Sequence, residues 1–159
     1  MDFVIKKEHL NENNEYIGEI DISDFDGNLI AEEDLGCIKF KSINVSGFIL
    51  FKAGSSIKAG DGIKAGWGIK AGDGIEAGDG IEAGDGIEAG WGIEAGDGIE
   101  AGWGIEAGLS ITAQVITTPL RIFAGLCLWR NPTKDEMKIK AKRIEGGGMI
   151  AFGEFEQIY

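Results

Sequence analysis

The outward charges of a central repeat are the residues whose types and spacing bear most directly on chemistry. The second position of each repeat unit holds Lys in the early units and Glu in the later ones, and the change occurs once along the chain. Neighbouring like charges repel, so rows of Glu need good solvation or a basic partner. We therefore treat six glutamates as a candidate binding surface: Glu76, Glu82, Glu88, Glu94, Glu100 and Glu106.

The fifth position of each unit supplies two further sets of candidates. Exposed tryptophans would form an adhesive stripe of the kind that marks interaction sites. Aspartates could offer oxygen ligands to Ca²⁺, but Asp between two glycines is also favoured for turn geometry. We therefore expect neither a metal nor any other cofactor. The tryptophans are Trp67, Trp91 and Trp103, and the weak metal candidates are Asp61, Asp73, Asp85 and Asp97.

The chain offers little for catalysis, which requires positioned acids, bases or nucleophiles. His9 is the single histidine and lies in a polar stretch, so we expect it in a surface loop. Cys37 and Cys127 have apolar neighbours and are expected to be buried thiols. We predict a non-enzymatic protein with no catalytic residue.

The elements that position these residues follow from the repeat itself. From Ile57 to Ser110 the chain consists of nine hexapeptides of the form Ile-Lys/Glu-Ala-Gly-x-Gly. Two glycines in six residues disfavour a helix. Ile-Lys/Glu-Ala fits a short strand with Ile and Ala inward, and Gly-x-Gly fits a corner in which glycine takes positive φ. The sequence therefore predicts an all-β, single-stranded β-solenoid (β-helix), whose coils must stack to bury an apolar face.

The spacing of the tryptophans indicates the number of repeats in a coil. Trp67 and Trp91 are separated by four hexapeptides, and Trp91 and Trp103 by two. Coils of two hexapeptides would place all three at one corner, whereas triangular coils of three hexapeptides would separate them. We predict the flat, 12-residue coil. The glutamates would then form two columns, one of Glu82, Glu94 and Glu106 and the other of Glu76, Glu88 and Glu100.

The flanking segments are predicted to continue and cap the solenoid within one structural domain. Residues 1–50 would form an N-terminal cap and irregular first coils, 51–116 the repeat, and 117–159 a last coil and a cap. Two alternating stretches, Met137 to Glu145 and Met149 to Ile158, flank three glycines and predict a β-hairpin. Caps are expected because an open solenoid end invites polymerisation.

The overall charge restricts the class of partner. The chain has 159 residues, of which 27 are acidic and 15 basic, for a net charge of −12. Such a chain is a poor electrostatic partner for nucleic acid or anionic lipid. No apolar run reaches the roughly 18 residues that span a membrane, and the N-terminus lacks the features of a secretion signal. We expect a cytoplasmic protein that binds neither nucleic acid nor membranes.

The repeat, followed by the segment from Leu126 to Thr133 and a charged tail, resembles small hexapeptide-repeat proteins of bacteria and their phages. The resemblance covers about residues 35–155 and implies a β-solenoid in a bacterial host, with no catalytic residue carried over. Hexapeptide acyltransferases are only weakly similar, because they prefer a small or β-branched residue at position five, where this chain has Asp or Trp.

Together these features favour a phage-type inhibitor that binds a basic host protein. The target would be a nucleic-acid enzyme or a defence complex, in an anti-CRISPR-like or anti-restriction-like role, and the acidic surface would imitate nucleic acid. Three alternatives remain open at this stage. One is a structural or self-assembling protein, including a homodimer through its caps or solenoid ends. Another is an acyltransferase-type enzyme. The third is that near-identical units arose by tandem duplication, so that each Glu is a copy without a function.

Overall fold

The chain folds into an all-β solenoid, and the computed structural model covers residues 1–159. Two 3₁₀ segments, Lys7–His9 and Asp135–Met137, are its only helical pieces, and neither is long enough to cross a membrane. The first strands are β1 (Asp2–Ile5), β2 (Asn28–Ala31), β3 (Gly36–Phe40), β4 (Ile43–Val45), β5 (Ile49–Phe51) and β6 (Ser55–Ala59). The next are β7 (Ile63–Ala65), β8 (Ile69–Ala71), β9 (Ile75–Ala77), β10 (Ile81–Ala83), β11 (Ile87–Ala89), β12 (Ile93–Ala95), β13 (Gly98–Ala101) and β14 (Ile105–Ala107). The last are β15 (Ile111–Thr112), β16 (Val115–Thr117), β17 (Arg121–Ala124), β18 (Lys138–Ala141), β19 (Arg143–Glu145), β20 (Met149–Phe152) and β21 (Glu154–Gln157).

The strands form three parallel sheets, one on each side of a triangular coil. Sheet 1 has eight strands, in the order β1-β2-β5-β8-β11-β14-β17-β20. Sheet 2 has seven strands, β3-β6-β9-β12-β15-β18-β21, and sheet 3 has six, β4-β7-β10-β13-β16-β19. The chain runs from sheet 1 to sheet 2 to sheet 3 in every coil. The solenoid therefore has three corners: 1–2, 2–3 and 3–1.

Each coil of the repeat contains three hexapeptides, so the prediction of a 12-residue coil is wrong. Ile63 pairs with Ile81, and Ile81 pairs with Ile99, a spacing of three hexapeptides in both cases. The prediction assumed that like side chains stack at the corners. Corner side chains are largely exposed, however, and the core does not depend on their identity.

The core is built from stacked columns of identical side chains. Each repeat strand buries its Ile and Ala and exposes the residue between them, and isoleucines such as Ile75 and Ile81 are 1 % exposed. Because the register pairs Ile with Ile and Ala with Ala, every coil presents the same apolar surface to the next. The hexapeptide is thus the smallest unit that repeats one strand and one corner.

The first glycine of each corner is required by close backbone approach. A Cβ on Gly78 would lie 1.9 Å from the carbonyl oxygen of Gly60 in the preceding coil, and one on Gly84 would lie 2.0 Å from that of Gly66. The expected positive φ is absent here, because all the glycines with positive φ lie outside the nine hexapeptides. The second glycine is less constrained, since a Cβ on Gly80 would be 3.4 Å from its nearest neighbour.

Aromatic rings fill the N-terminal end, consistent with the predicted cap. Phe3 lies 6.1 Å from Tyr16 and 6.1 Å from Phe25, measured between ring centroids. Tyr16 in turn lies 5.8 Å from Phe40, which belongs to the first complete coil. His9 also packs on Phe3, at 5.3 Å. These rings occupy the interior where the repeat has Ile and Ala, and they cover the first coil.

The C-terminal tail continues the solenoid, so the predicted β-hairpin cap is wrong. β19 pairs with β16, β20 with β17 and β21 with β18, all in parallel. The alternation correctly indicated strands, and the three glycines form the 3–1 corner between β19 and β20. A hairpin would pair β19 with β20, whereas an inward Ile144 stacked on Ile116 extends the existing core.

Candidate functional site

Lysine and glutamate side chains form one ion pair on each side of the coil. Lys58 donates to Glu76 at 2.8 Å on sheet 2, and Lys64 donates to Glu82 at 2.8 Å on sheet 3. On sheet 1, the Nζ of Lys70 lies 2.7 Å from the Oε1 of Glu88. The single change from Lys to Glu along the chain thus becomes a ring of three ion pairs between adjacent coils.

These ion pairs also raise the pKa values of two of the lysines. The hydrogen bond and the charge of Glu76 raise the pKa of Lys58 above its ordinary value of 10.5. Glu82 raises the pKa of Lys64 in the same way. Both ammonium groups are therefore harder to deprotonate than a free lysine.

The two long glutamate columns predicted from a 12-residue coil do not form. Each sheet instead carries a single Glu–Glu neighbour pair: Glu76–Glu94, Glu82–Glu100 and Glu88–Glu106. The first member of every pair is bound to lysine. The second members have no ion pair, and they form a ring around one coil: Glu94, Glu100 and Glu106.

Corner 2–3 gathers three aspartates into a line. The backbone N–H of Asp79 donates to the carbonyl of Asp61 at 3.3 Å, and that of Asp97 donates to the carbonyl of Asp79 at 2.9 Å. Successive aspartates are therefore one strand spacing apart, about 4.8 Å. Glu94 on sheet 2 and Glu100 on sheet 3 flank Asp97 within the same coil. We call these five residues the acidic ridge: Asp61, Asp79, Asp97, Glu94 and Glu100.

The acidic ridge is exposed, and lysines flank it only in the coil of Asp61, where Lys58 lies on sheet 2 and Lys64 on sheet 3. All five side chains face solvent, and none has a basic group within 4.0 Å. Sequence reasoning missed this line because it grouped the aspartates at intervals of two hexapeptides. The signal was present as the spacing of Asp61, Asp79 and Asp97, which recur every third hexapeptide.

The predicted metal candidates do not form a common site. Asp61 and Asp97 lie at corner 2–3, Asp85 at corner 3–1 and Asp73 at corner 1–2, as their backbone hydrogen bonds show. No three His, Cys, Asp or Glu side chains come together in a geometry that could hold a metal ion. Aspartates that are two hexapeptides apart in the sequence therefore lie at different corners of the solenoid.

The tryptophans also do not share a corner. Trp67 and Trp103 lie at corner 3–1 with Asp85 between them. The backbone N–H of Asp85 donates to the carbonyl of Trp67, and the backbone N–H of Trp103 donates to the carbonyl of Asp85. Trp91 lies at corner 1–2. The three side chains are 61 %, 64 % and 48 % exposed, in the order Trp67, Trp103 and Trp91. All three tryptophans are exposed, but they do not form a continuous stripe.

Trp91 instead anchors the loop that connects β17 to β18. Its ring lies 5.6 Å from that of Trp129, and the guanidinium of Arg130 sits 5.2 Å from the Trp129 ring. Arg130 also donates two hydrogen bonds to Glu136, at 2.8 and 2.7 Å. The backbone N–H of Thr133 donates to the same carboxylate at 2.8 Å. These contacts tie the loop to corner 1–2.

The loop should loosen in acid. The hydrogen bonds from Arg130 and then from the Thr133 backbone lower the pKa of Glu136 from 4.5 to about 2. A lowered carboxyl pKa stabilises the loop above pH 4.5, and this contribution is lost as the pH falls towards 2. We expect the emission of Trp129 to change over that interval, measured as tryptophan fluorescence against pH. In Glu136→Gln this transition should be absent; if it persists unchanged, another group controls the loop.

The remaining chemistry-bearing residues take structural or exposed positions. His9 belongs to the Lys7–His9 segment, where its Nδ1 accepts the Lys6 backbone N–H at 3.0 Å. It therefore helps to cap the N-terminal end rather than lie in a free loop. Cys37 is exposed on β3 and Cys127 is half-buried in the β17–β18 loop, so the prediction of buried thiols is wrong for Cys37. Its position between Gly36 and Ile38 places it outward, because Ile38 takes the core position.

Comparison with protein-family models, with curated proteins and with solved structures finds no match to this chain.

Proposed function

We propose that this protein is a non-enzymatic binding protein whose acidic ridge contacts the basic surface of a partner protein. The observation that carries the proposal is a line of three exposed aspartates, flanked at Asp97 by two glutamates that have no ion pair. Glu76, Glu82 and Glu88 in the adjacent coil are paired with lysines. Complementary charge raises association rates and selects partners of opposite sign. A solenoid is a suitable carrier because its stacked coils hold the charges at fixed spacing.

The class of partner follows from the geometry of the ridge. Carboxylates about 4.8 Å apart along a straight line approach the spacing of phosphates in a nucleic-acid strand. Glu94 and Glu100 widen the charged strip on either side of Asp97. We therefore propose a nucleic-acid-binding enzyme or a defence complex of a bacterial host as the target, inhibited by an acidic imitation of nucleic acid in the manner of an anti-CRISPR or anti-restriction protein.

Self-assembly is the second candidate, favoured by the last coil. β19, β20 and β21 each pair with a strand on one side only, and the inward Phe155 is 39 % exposed. However, β20 contains a bulge beside its pairing with β17, and charged residues such as Arg143 and Glu154 border the open edges. Bulges and charges are features that discourage strand edges from pairing. Binding through the ridge is therefore the better-supported function.

An acyltransferase-type activity has less support. In the structure the single histidine packs in the N-terminal cap against Phe3, away from the ridge and the β17–β18 loop. No other histidine can act as a general base.

Neutralising the ridge should weaken binding to a basic ligand. A variant carrying Asp61→Asn, Asp79→Asn and Asp97→Asn keeps side-chain size and removes three aligned charges. We expect it to bind fluorescein-labelled decalysine about tenfold more weakly in low salt, since each exposed charge pair contributes modestly. Fluorescence anisotropy at increasing salt should show a flatter dependence than for the wild type.

A control with the same net charge separates the ridge from general acidity. Asp73→Asn, Asp85→Asn and Glu154→Gln also remove three charges, but from three separated places. This control should bind decalysine nearly as well as the wild type. As baits in bacterial lysate, the wild type and the control should retain a basic nucleic-acid-binding protein that added duplex DNA displaces. Equal loss in both triple variants, or retention that DNA does not affect, would contradict the proposal.

A further inference from the structure

The side of the coil opposite the acidic ridge carries a concave surface beside sheet 1. A depression of about 490 Å³ opens between the β17–β18 loop and the outer surface of sheet 1. Most of its wall is apolar, and Glu106 is its one charged residue. We call it the Glu106 cup. Its principal lining residues are Glu106, Leu126, Leu128, Pro132, Met137 and Phe152.

The cup is built by the backbone rather than by a free loop. The N–H groups of Gly125 and Leu126 both donate to the carbonyl of Ala107, at 3.1 and 3.2 Å, which fixes the loop next to Glu106. Gly125 has φ +91°, and a Cβ there would meet Met137 at 2.6 Å. At the far side, the Arg130–Glu136 pair and the stacked Trp129 hold the loop in place. The wall is therefore formed before any ligand arrives.

Glu106 has different strand neighbours from Glu94 and Glu100, the other two glutamates of its ring. Glu94 and Glu100 belong to the same coil and the same Ile-Glu-Ala sequence, but their neighbours in the next coil are Thr112 and Thr117. The neighbour of Glu106 is Phe123, followed in the same column by Phe152. Glu106 is thus an unpaired carboxylate beside aromatic rings and aliphatic side chains.

We propose that the Glu106 cup binds an arginine side chain of a protein partner. Arginine combines an apolar stem, which would pack on Leu126, Met137 and Phe152, with a planar cation that pairs with a carboxylate through two hydrogen bonds. Glu106 is exposed, so its carboxylate is accessible to the guanidinium. Leu128, which is 98 % exposed at the rim, would contact an apolar neighbour of that arginine.

The choice of a protein as the ligand rests on the proposed function, but the residues do not overlap with the ridge. The cup lies on sheet 1 near corner 1–2, whereas the ridge follows corner 2–3. A partner would thus meet charge alone on one side of the solenoid and a cation pocket with apolar walls on the other.

A matched pair of peptides tests the cup directly. The probes are acetyl-Leu-Arg-Leu-amide and acetyl-Leu-citrulline-Leu-amide, which differ in charge but hardly in shape. In ¹⁵N-labelled wild-type protein, the arginine peptide should shift the amide signals of Gly125 to Leu128. The citrulline peptide should bind about fivefold more weakly. Glu106→Gln should abolish this difference, and Glu94→Gln and Glu100→Gln should preserve it.

The variants also separate the cup from the ridge. Leu128→Ser should weaken both peptides, because it removes apolar contact from the rim without disturbing the core. The triple ridge variant Asp61→Asn, Asp79→Asn, Asp97→Asn should leave the shifts at Gly125 to Leu128 unchanged even if decalysine binding is lost. Equal affinity for the two peptides would overturn the proposal. So would equal effects of Glu106→Gln and Glu100→Gln, or shifts confined to the ridge.

Discussion

Gly78→Ala is expected to destabilise the solenoid by on the order of 3 kcal/mol, the upper part of the range for overpacking a tight site. The added methyl carbon would lie 1.9 Å from the carbonyl oxygen of Gly60. Both groups belong to backbone that is hydrogen-bonded between coils, since Gly78 N–H donates to the carbonyl of Ala59 at 3.0 Å. Relief of the contact therefore requires neighbouring coils to separate, which can be measured as a lower urea midpoint of unfolding.

Gly80→Ala is the matched control at the same corner. A Cβ on Gly80 would be 3.4 Å from the carbonyl oxygen of Gly98, an ordinary contact, and its φ is not positive. Alanine also restricts the unfolded chain, which offsets part of any cost. We expect a change below about 1 kcal/mol. If Gly78→Ala and Gly80→Ala unfold at the same urea concentration, close approach does not explain the first glycine of the corner.

The Gly-x-Gly unit shows how far the sequence could predict the fold. Strand length, the inward Ile and Ala and the need for stacking all follow from the order of residue types within six positions. The number of units in a coil does not, because every unit contributes the same strand and corner in a flat or a triangular coil. Trp67, Trp91 and Trp103 suggested the flat coil, yet they are exposed, and no packing constraint forces them to stack.

The lysines would have been the better guide to the coil. Lys58, Lys64 and Lys70 occupy three successive units, and coils of three hexapeptides place each of them beside a Glu on its own sheet. A coil of two hexapeptides would place Lys58 next to Lys70. Charge pairing between coils therefore discriminates between the two geometries, whereas exposed aromatic residues do not.

The sequence predicts which residue types form the candidate site better than it predicts where on the solenoid they lie. The surplus of carboxylates could be predicted from the repeat. The acidic ridge and the Glu106 cup could not, because both depend on which corner follows which sheet. The cup further depends on the β17–β18 loop returning to Ala107, a contact that no local pattern encodes.

Reversing the three lysines should destabilise the solenoid in a salt-dependent manner. Lys58→Glu, Lys64→Glu and Lys70→Glu together break all three inter-coil ion pairs and place Glu beside Glu76, Glu82 and Glu88. Each sheet would then carry three successive glutamates, whose repulsion is unfavourable on adjacent strands. We expect a clear fall in the urea midpoint at low ionic strength. The fall should diminish at about 1 M NaCl, where charges are screened within about 3 Å.

The opposite reversal provides the decisive comparison. Glu94→Lys, Glu100→Lys and Glu106→Lys also change three exposed side chains, but they place a cation beside Glu76, Glu82 and Glu88 from the other coil. Each sheet would then alternate Lys, Glu and Lys, so the urea midpoint should rise at low salt and return towards the wild-type value at about 1 M NaCl. Because both triple variants reverse three charges, a general intolerance of surface change would lower both midpoints. Opposite shifts of the two midpoints are expected if neighbouring coils meet at intervals of three hexapeptides and the lysine-to-glutamate boundary stabilises their contact. The change in net charge from −12 to −18 and to −6 acts in the same two directions. If both variants unfold at the wild-type midpoint in low salt, the ion-pair ring contributes nothing to stability.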